Sequence, residues 1–273
     1  SVYVGAIVKA PLPFPLPGAY DSTFAGGSEG YVLRLTPGGA LTWGGFLGYG
    51  RQSLDWGDNR GDFDQTDSTI GGYLGWHGAN AWVAGQLSYS QLDFDTDRQI
   101  PLGPALRTHH GDTDGTNTTV GIAAGWDFVH DALRHGPVAS LLSQSIDVNG
   151  FAESEPALST SLAYPEQTFN SLIGSVGWQV SYQVNDHVQP YARVTWDREF
   201  ERSDDEAFAQ MQALPGTMPF AVPGLDYDRS YATVLLGART RLFGMDANFG
   251  VTATAAQQAG NDASAFVTIG SSF

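Results

Sequence analysis

Alternation of apolar with small or polar side chains, sustained over long stretches and repeated along the chain, limits the fold more than any other feature of this sequence. In "TTVGIAAGWDF" (118–128), Val120, Ile122, Ala124, Trp126 and Phe128 share one parity, and Thr119, Gly121, Ala123, Gly125 and Asp127 share the other. The same rule separates Leu41, Trp43, Leu47 and Tyr49 from Thr42, Gly44 and Gly48, and Leu172, Val176, Trp178, Val180 and Tyr182 from Ser175, Gly177, Gln179, Ser181 and Gln183. A period of two means strands with two chemically different faces. No apolar run approaches the roughly 20 residues of a membrane-spanning helix.

Twelve such strands are expected, at 1–9, 29–36, 41–54, 66–77, 81–94, 116–129, 137–150, 167–184, 187–200, 227–243, 246–258 and 263–273. Many reach the roughly 9–11 residues that cross a bilayer at a tilt. The gaps between them alternate between short (37–39, 78–80, 130–136, 185–186, 244–245) and long (10–28, 55–65, 95–115, 151–166, 201–226). Successive connections at opposite ends are what an up-and-down barrel requires. The expected fold is therefore all-β: a closed, antiparallel, up-and-down transmembrane β-barrel of 12 strands, one domain over 1–273. An even strand number puts both termini on the side of the short turns, the periplasmic side of an outer-membrane barrel, with the long acidic loops outside.

Charge and tryptophan placement agree with a lipid-facing parity that carries Val120 and Ile122. No Asp, Glu, Lys or Arg occupies that parity in the strand middles, where an arginine costs about 2–4 kcal/mol. Arg34, Arg193, Asp197, Arg239 and Arg241 lie on the other, as do Gly121, Gly125 and Gly237, and together they are the candidate lumen-facing residues. Trp43, Trp76, Trp82, Trp126 and Trp178 lie close to short turns, as an interfacial aromatic girdle requires, and Trp196 approaches the other end. Trp82 breaks the parity of Val83, Leu87 and Tyr89, which leaves a bulge or a lumen position.

Thirteen Lys and Arg against 29 Asp and Glu give a net charge of -16, which argues against a nucleic-acid partner. With no cysteine, neither disulfides nor thiolate metal sites are expected. The bland competitor is a large soluble barrel or sandwich, which also alternates.

The connections offer few chemical motifs. "KAPLPFPLPG", with Pro11, Pro13, Pro15 and Pro17, reads as a rigid rim segment rather than a polyproline docking motif. "DWGDNRGDFDQTD" carries Asp55, Asp58, Asp62, Asp64 and Asp67 but lacks the EF-hand order, so it reads as a solvated acidic loop rather than a calcium site. "HHGDTDG" sets His109 and His110 beside Asp112 and Asp114 without defining a metal geometry. In "ERSDDEAFAQMQALPG", Ser203 and Glu206 fit a capping box for a short helix over 207–214, ended by Pro215-Gly216. His77 beside Ser68 or Ser90 is the one hydrolytic combination to test, and no G-x-S-x-G elbow supports it. No catalytic residue, metal ligand or cofactor is assigned. Gly71, Gly72 and Gly75 lie within a strand, so they permit curvature, close approach of a helix, or hydration rather than phosphate binding.

The terminal "SAFVTIGSSF" (264–273), with Ala265, Val267, Ile269 and Phe273 on one parity, resembles in its "FVTIGSSF" end the assembly signal of outer-membrane barrels. More specifically, "GDFDQTDSTIGGYLGWHG" (61–78), "SYSQLDFDTDRQI" (88–100), "HGPVASLL" (135–142), "FAESEPALSTSLAYPEQTFNSLIGSVGWQ" (151–179) and "GARTRLFGMDANFGVT" (237–252) resemble the membrane domain of the GDSL-type autotransporter esterases of Pseudomonas. The resemblance runs from about residue 40 onward, and residues 1–28 follow it less well. It implies a C-terminal translocator that anchors an N-terminal passenger at the outer membrane, with a helix through the lumen upstream of the first strand. The family's catalytic serine lies in a passenger G-D-S block, and "GDF" and "GDT" here supply no such serine. Implied partners are outer-membrane lipid, a covalently linked upstream passenger and the barrel assembly machinery, with the chain itself monomeric. A small solute channel and a lipid-facing hydrolase are the competing functions.

Overall fold

The computed structural model describes residues 3–8, 40–55, 60–201, 206–214, 216, 218–223, 229–242, 245–256 and 263–272. Among them there is no helix. The strands are β1 (Tyr3–Val8), β2 (Ala40–Asp55), β3 (Gly61–His77), β4 (Ala81–Leu102), β5 (Ala105–Trp126), β6 (Phe128–His130), β7 (Leu133–Val148), β8 (Phe151–Ala152), β9 (Leu162–Tyr164), β10 (Gln167–Tyr182), β11 (Val188–Glu199), β12 (Glu206–Met211), β13 (Phe220–Pro223), β14 (Ser230–Leu242), β15 (Met245–Ala255) and β16 (Ala263–Ser272).

The main sheet is antiparallel and curls into part of a barrel, in the order β1-β16-β15-β14-β11-β10-β7-β5-β4-β3-β2, with β6 paired to β7. From β2 to β16 the strands of this path follow one another in chain order, and β1 pairs with the last strand from Tyr3↔Ser272 to Val8↔Val267. The expected strand over 29–36, which includes Arg34, and residues 257–262 between β15 and β16 lie outside the described residues.

The two faces of this sheet have the polarity of a water-soluble protein turned inside out. Leu47 is 80% exposed and Trp43 76%, whereas Ser88 is 3% and Thr233 2% exposed. Trp76, Val120, Ile122, Trp126, Val176, Trp178, Val194, Trp196, Phe249 and Val267 are also exposed on the apolar face. Soluble domains show single exposed apolar residues, not a continuous belt of them with buried hydroxyls behind it. Trp82 is 5% exposed on the polar face, and its register (His77↔Trp82, Trp82↔Gly125) is unbroken, so the position is not a bulge.

Residues 95–115, expected as a loop, instead continue β4 and β5 as a hairpin whose pairing runs unbroken to Leu102↔Ala105. Gly103 takes φ +65 in the tight turn, a conformation that costs glycine nothing. The parity of the alternation flips along β4. Val83, Leu87 and Tyr89 point to the exposed apolar face, but beyond them Asp93 and Asp95 occupy that face while Leu92 and Phe94 turn inward. Phe94 meets Phe63 with ring centroids 5.9 Å apart, so the extension has a small core of its own.

The helix expected over 207–214 does not form. Glu206–Met211 is strand β12, held by β13 (Ala209↔Phe220) and by β9 (Met211↔Leu162). A helix of two turns is marginal in water, and two neighbouring strands satisfy the same backbone groups more completely. The result is a second sheet in the long connections, in the order β13-β12-β9-β8.

Candidate functional site: the polar face of the curled sheet

Glycines on the polar face are covered by rings from the strand next door. Five pairs lie directly opposite in register: Gly44 with Tyr73, Gly71 with Phe46, Gly125 with Trp82, Gly237 with Tyr191, and Gly250 with Phe266. In each, a Cβ added to the glycine would collide with the ring. At these sites the missing side chain makes room for a ring from the neighbouring strand, packing that fills the polar face and supports the register. Gly121, opposite Gln86 and Leu142, is buried on the same face.

Between these pairs run hydrogen-bonded polar groups. Asp197 is fully buried; Thr233 Oγ1 donates to its Oδ2 at 2.6 Å and Thr195 Oγ1 at 3.2 Å. Arg193 Nη2 donates to Gln179 Oε1 at 3.0 Å, and Gln179 Nε2 donates to Asp127 Oδ1 at 2.9 Å, so one amide links a cation to an anion across three segments. Tyr191 OH donates to Asn248 Oδ1 at 2.7 Å, and the Arg239 guanidinium lies 5.2 Å from the centre of the Tyr191 ring. Further round, Thr69 and Ser90 hydroxyls meet at 2.7 Å and Gln144 Nε2 donates to Asn117 Oδ1 at 3.1 Å. Arg241 pairs with Asp246 at 3.0 Å at the exposed end of the hairpin. The arrangement is a largely hydrogen-bonded polar surface, suited to water or to another polypeptide.

The other combinations raised by the sequence come apart. Ser90 stands opposite Thr69, whereas His77 stands opposite Trp82, eight residues along β3 (77 − 69), or roughly 27 Å at about 3.4 Å per residue. Ser68 lies on the opposite face of the same strand from His77. His109 and His110 also point to opposite faces. The ring nitrogens of His109, fully buried, lie 3.1 Å from Ser154 O and 2.8 Å from Thr160 Oγ1, and His110 pairs with Asp97 at 2.9 Å. Asp62 and Asp64 likewise face away from Asp67, so these strand residues do not form a calcium loop. Of the terminal motif, Ala265 and Val267 are exposed on β16, Ile269 is placed by its pairing with Ala6 and Ala247, and Phe273 lies outside the described residues.

Sequence reasoning missed the outer polar cluster. Arg98 donates from Nε and Nη2 to both carboxylate oxygens of Glu153, at 2.6 and 2.5 Å, and Leu162 N donates to Glu153 Oε2 at 2.8 Å. Gln212 Nε2 donates to Glu153 O and to Ser161 Oγ, both at 2.7 Å. The partners come from three segments far apart in sequence, around Arg98, residues 153–162 and Gln212, and no local spacing announces them.

Known proteins share both pattern and architecture. The chain matches the autotransporter beta-domain family over residues 18–267. It is 26% identical to esterase EstA of Pseudomonas aeruginosa over 232 residues, which cover 81% of this chain and 35% of that protein, and the EstA of Pseudomonas putida matches equally. The chain thus spans about a third of the length of these curated relatives. Its fold is similar to the translocator domain of autotransporter NalP from Neisseria meningitidis (TM-score 0.60, 15% identity, 85% of this chain and 81% of that one). It is equally similar to the beta domain of the Bordetella autotransporter BrkA (TM-score 0.60, 16% identity, 87% and 84%). With the family matched over nearly its whole length and an inverted sheet to go with it, the chain belongs to the autotransporter beta-domain family, whose translocator domains are barrels of the outer membrane.

Proposed function

We propose that this chain is the outer-membrane anchor and translocator of a longer protein, and that the domain it delivers is an esterase lying upstream. The observation that carries the reading is the inverted sheet: an apolar belt on strands long enough to span a bilayer, backed by a polar, hydrogen-bonded face. In hydrocarbon every backbone group needs an internal partner, so the sheet closes. In this reading the strand over 29–36 joins β1 to β2 and completes a 12-stranded cylinder. Trp43, Trp76, Trp126, Trp178, Val120 and Ile122 then contact lipid. Arg34, Gly121, Gly125, Arg193, Asp197, Gly237, Arg239 and Arg241 face a lumen that accommodates the passing or resident upstream segment. The flip of parity between Tyr89 and Asp93 supports an outer membrane surface at that level, with the long connections outside and both termini on the periplasmic side. Ala265, Val267, Ile269 and Phe273 engage the assembly machinery, and the barrel works as a monomer. The esterase assignment comes from the name of the curated relatives alone.

The test is surface display. In cells expressing the whole parent protein, the upstream domain should be cleaved by protease added outside and should stay inside when residues 230–272 are deleted. A chain that supports ion conductance in planar bilayers while no upstream domain reaches the surface would favour a solute channel instead.

A further inference from the structure

The second sheet carries an apolar patch in a place where lipid does not reach. Met218 is 88% exposed, and Leu214, Phe220 and Met211 are each at least 40% exposed, on or beside the β12–β13 hairpin. This hairpin joins β9 and β8, and β8 packs on β5 beyond the aspartates: Ser154 N donates to His110 O at 2.7 Å, and Phe151 lies against Gly111. Beyond the apolar belt, next to the point where the second sheet meets β5, runs a cross-strand ladder of carboxylates on β3, β4 and β5, in which Asp64 faces Asp95 and Asp95 faces Asp112. Such a ladder excludes hydrocarbon, so the patch sits in water.

Exposed methionine and phenylalanine in water mark a protein contact, and methionine adapts to the partner's shape. The patch is also held ready. Glu153, 4% exposed, is gripped by Arg98 and Leu162, and Gln212, at the end of β12, is tied to Glu153 O and Ser161 Oγ. Four apolar side chains are too few for a free partner, since a stable interface buries about 1,200–2,000 Å². A tethered partner needs far less, because a short linker supplies an effective concentration on the order of millimolar. The chain spans only 35% of the length of its curated relatives, so most of such a protein lies outside this region.

We propose that the outer β13-β12-β9-β8 sheet is a docking platform for the upstream domain of the same polypeptide, which rests on Met211, Leu214, Met218 and Phe220. The inference rests on the translocator reading, and the experiment separates the two. In the full-length protein on intact cells, Met218 is replaced by a benzophenone amino acid, with Asp131 on the short-turn side as control, and surface antibody labelling reports whether the upstream domain is displayed. The expected result is a cross-link from position 218 into the upstream domain of the same chain and none from position 131. The yield should fall about tenfold when Leu214→Asp and Phe220→Asp are added. Heat-modifiable migration on gels verifies that the doubly substituted barrel assembles, and the single replacement at Met218 tests the contact by itself. A displayed upstream domain with no cross-link, or with links only to lipopolysaccharide or to a second copy, overturns the platform and leaves the translocator standing. Absence of any displayed domain overturns both.

Discussion

Arg98 and Glu153 form a two-pronged ion pair, with N–O distances of 2.6 and 2.5 Å, that ties the extended β4 strand to the connection between β7 and β10. Removing one partner strands the other: Arg98→Met leaves the buried Glu153 carboxylate with only the Leu162 amide and the Tyr164 hydroxyl. Fully buried pairs broken this way lose about 3–5 kcal/mol. Arg98 keeps 26% of its side-chain surface, so a smaller local loss of about 2–3 kcal/mol is expected. Hydrogen exchange should accelerate in 151–164 and 206–214 and remain unchanged in β10 and β11.

The Asp97 carboxylate, 2.9 Å from His110 Nδ1, raises the imidazole pKa against an opposing desolvation, and Asp95 and Asp112 add smaller contributions in the same direction. A raised folded-state pKa means that the stabilisation is fully present below the unfolded value of about 6.5 and is lost as pH rises through the folded value. Titration of His110 by NMR should give a midpoint above that of a free histidine, and Asp97→Asn should lower it.

Gly125 faces Trp82, and a side chain there would place its Cβ 2.5 Å from the indole. Gly125→Val is expected to cost about 1–3 kcal/mol through overpacking. Gly85, whose nearest neighbour would be the Gly121 carbonyl at 3.7 Å, should accept alanine with little loss. Urea unfolding from lipid vesicles measures both.

Ile122 and Thr119 sit on opposite faces of β5. Ile122→Arg should destabilise the folded barrel by about 2–4 kcal/mol, the penalty of a cation at the bilayer midplane. Thr119→Arg should cost markedly less if, as proposed, its face lines a hydrated lumen. Folding titrations into vesicles distinguish the two.

The strands were legible because alternation is local. Val120, Ile122 and Trp126 reveal their face within one segment, and β2, β3, β10 and β11 end within a few residues of their expected bounds, apart from the start of β3 at Gly61. The 95–115 hairpin was not read as strand because its alternation changes sign: Asp93 and Asp95 take the face that Leu87 and Tyr89 hold, so an apolar template fails although the period persists. The helix over 207–214 was misread because a capping box is a local signal, whereas β12 is fixed by β9 and β13, long-range partners. Ring-over-glycine pairs such as Tyr73 on Gly44 become visible only once register is known. Arg98 and Glu153, 55 residues apart, belong to the same class.

Because the chain contains no cysteine, single cysteines can be placed one at a time along β5 from Thr116 to Trp126 and labelled with a fluorophore after folding into vesicles. Quenching by lipids brominated in their acyl chains reads which side chains touch hydrocarbon. Strong quenching at Val120, Ile122 and Ala124, with little at Thr119, Gly121 and Ala123, is the result an inverted, membrane-embedded sheet requires. Equal quenching on both parities, or quenching confined to Thr119, Gly121 and Ala123, would contradict it.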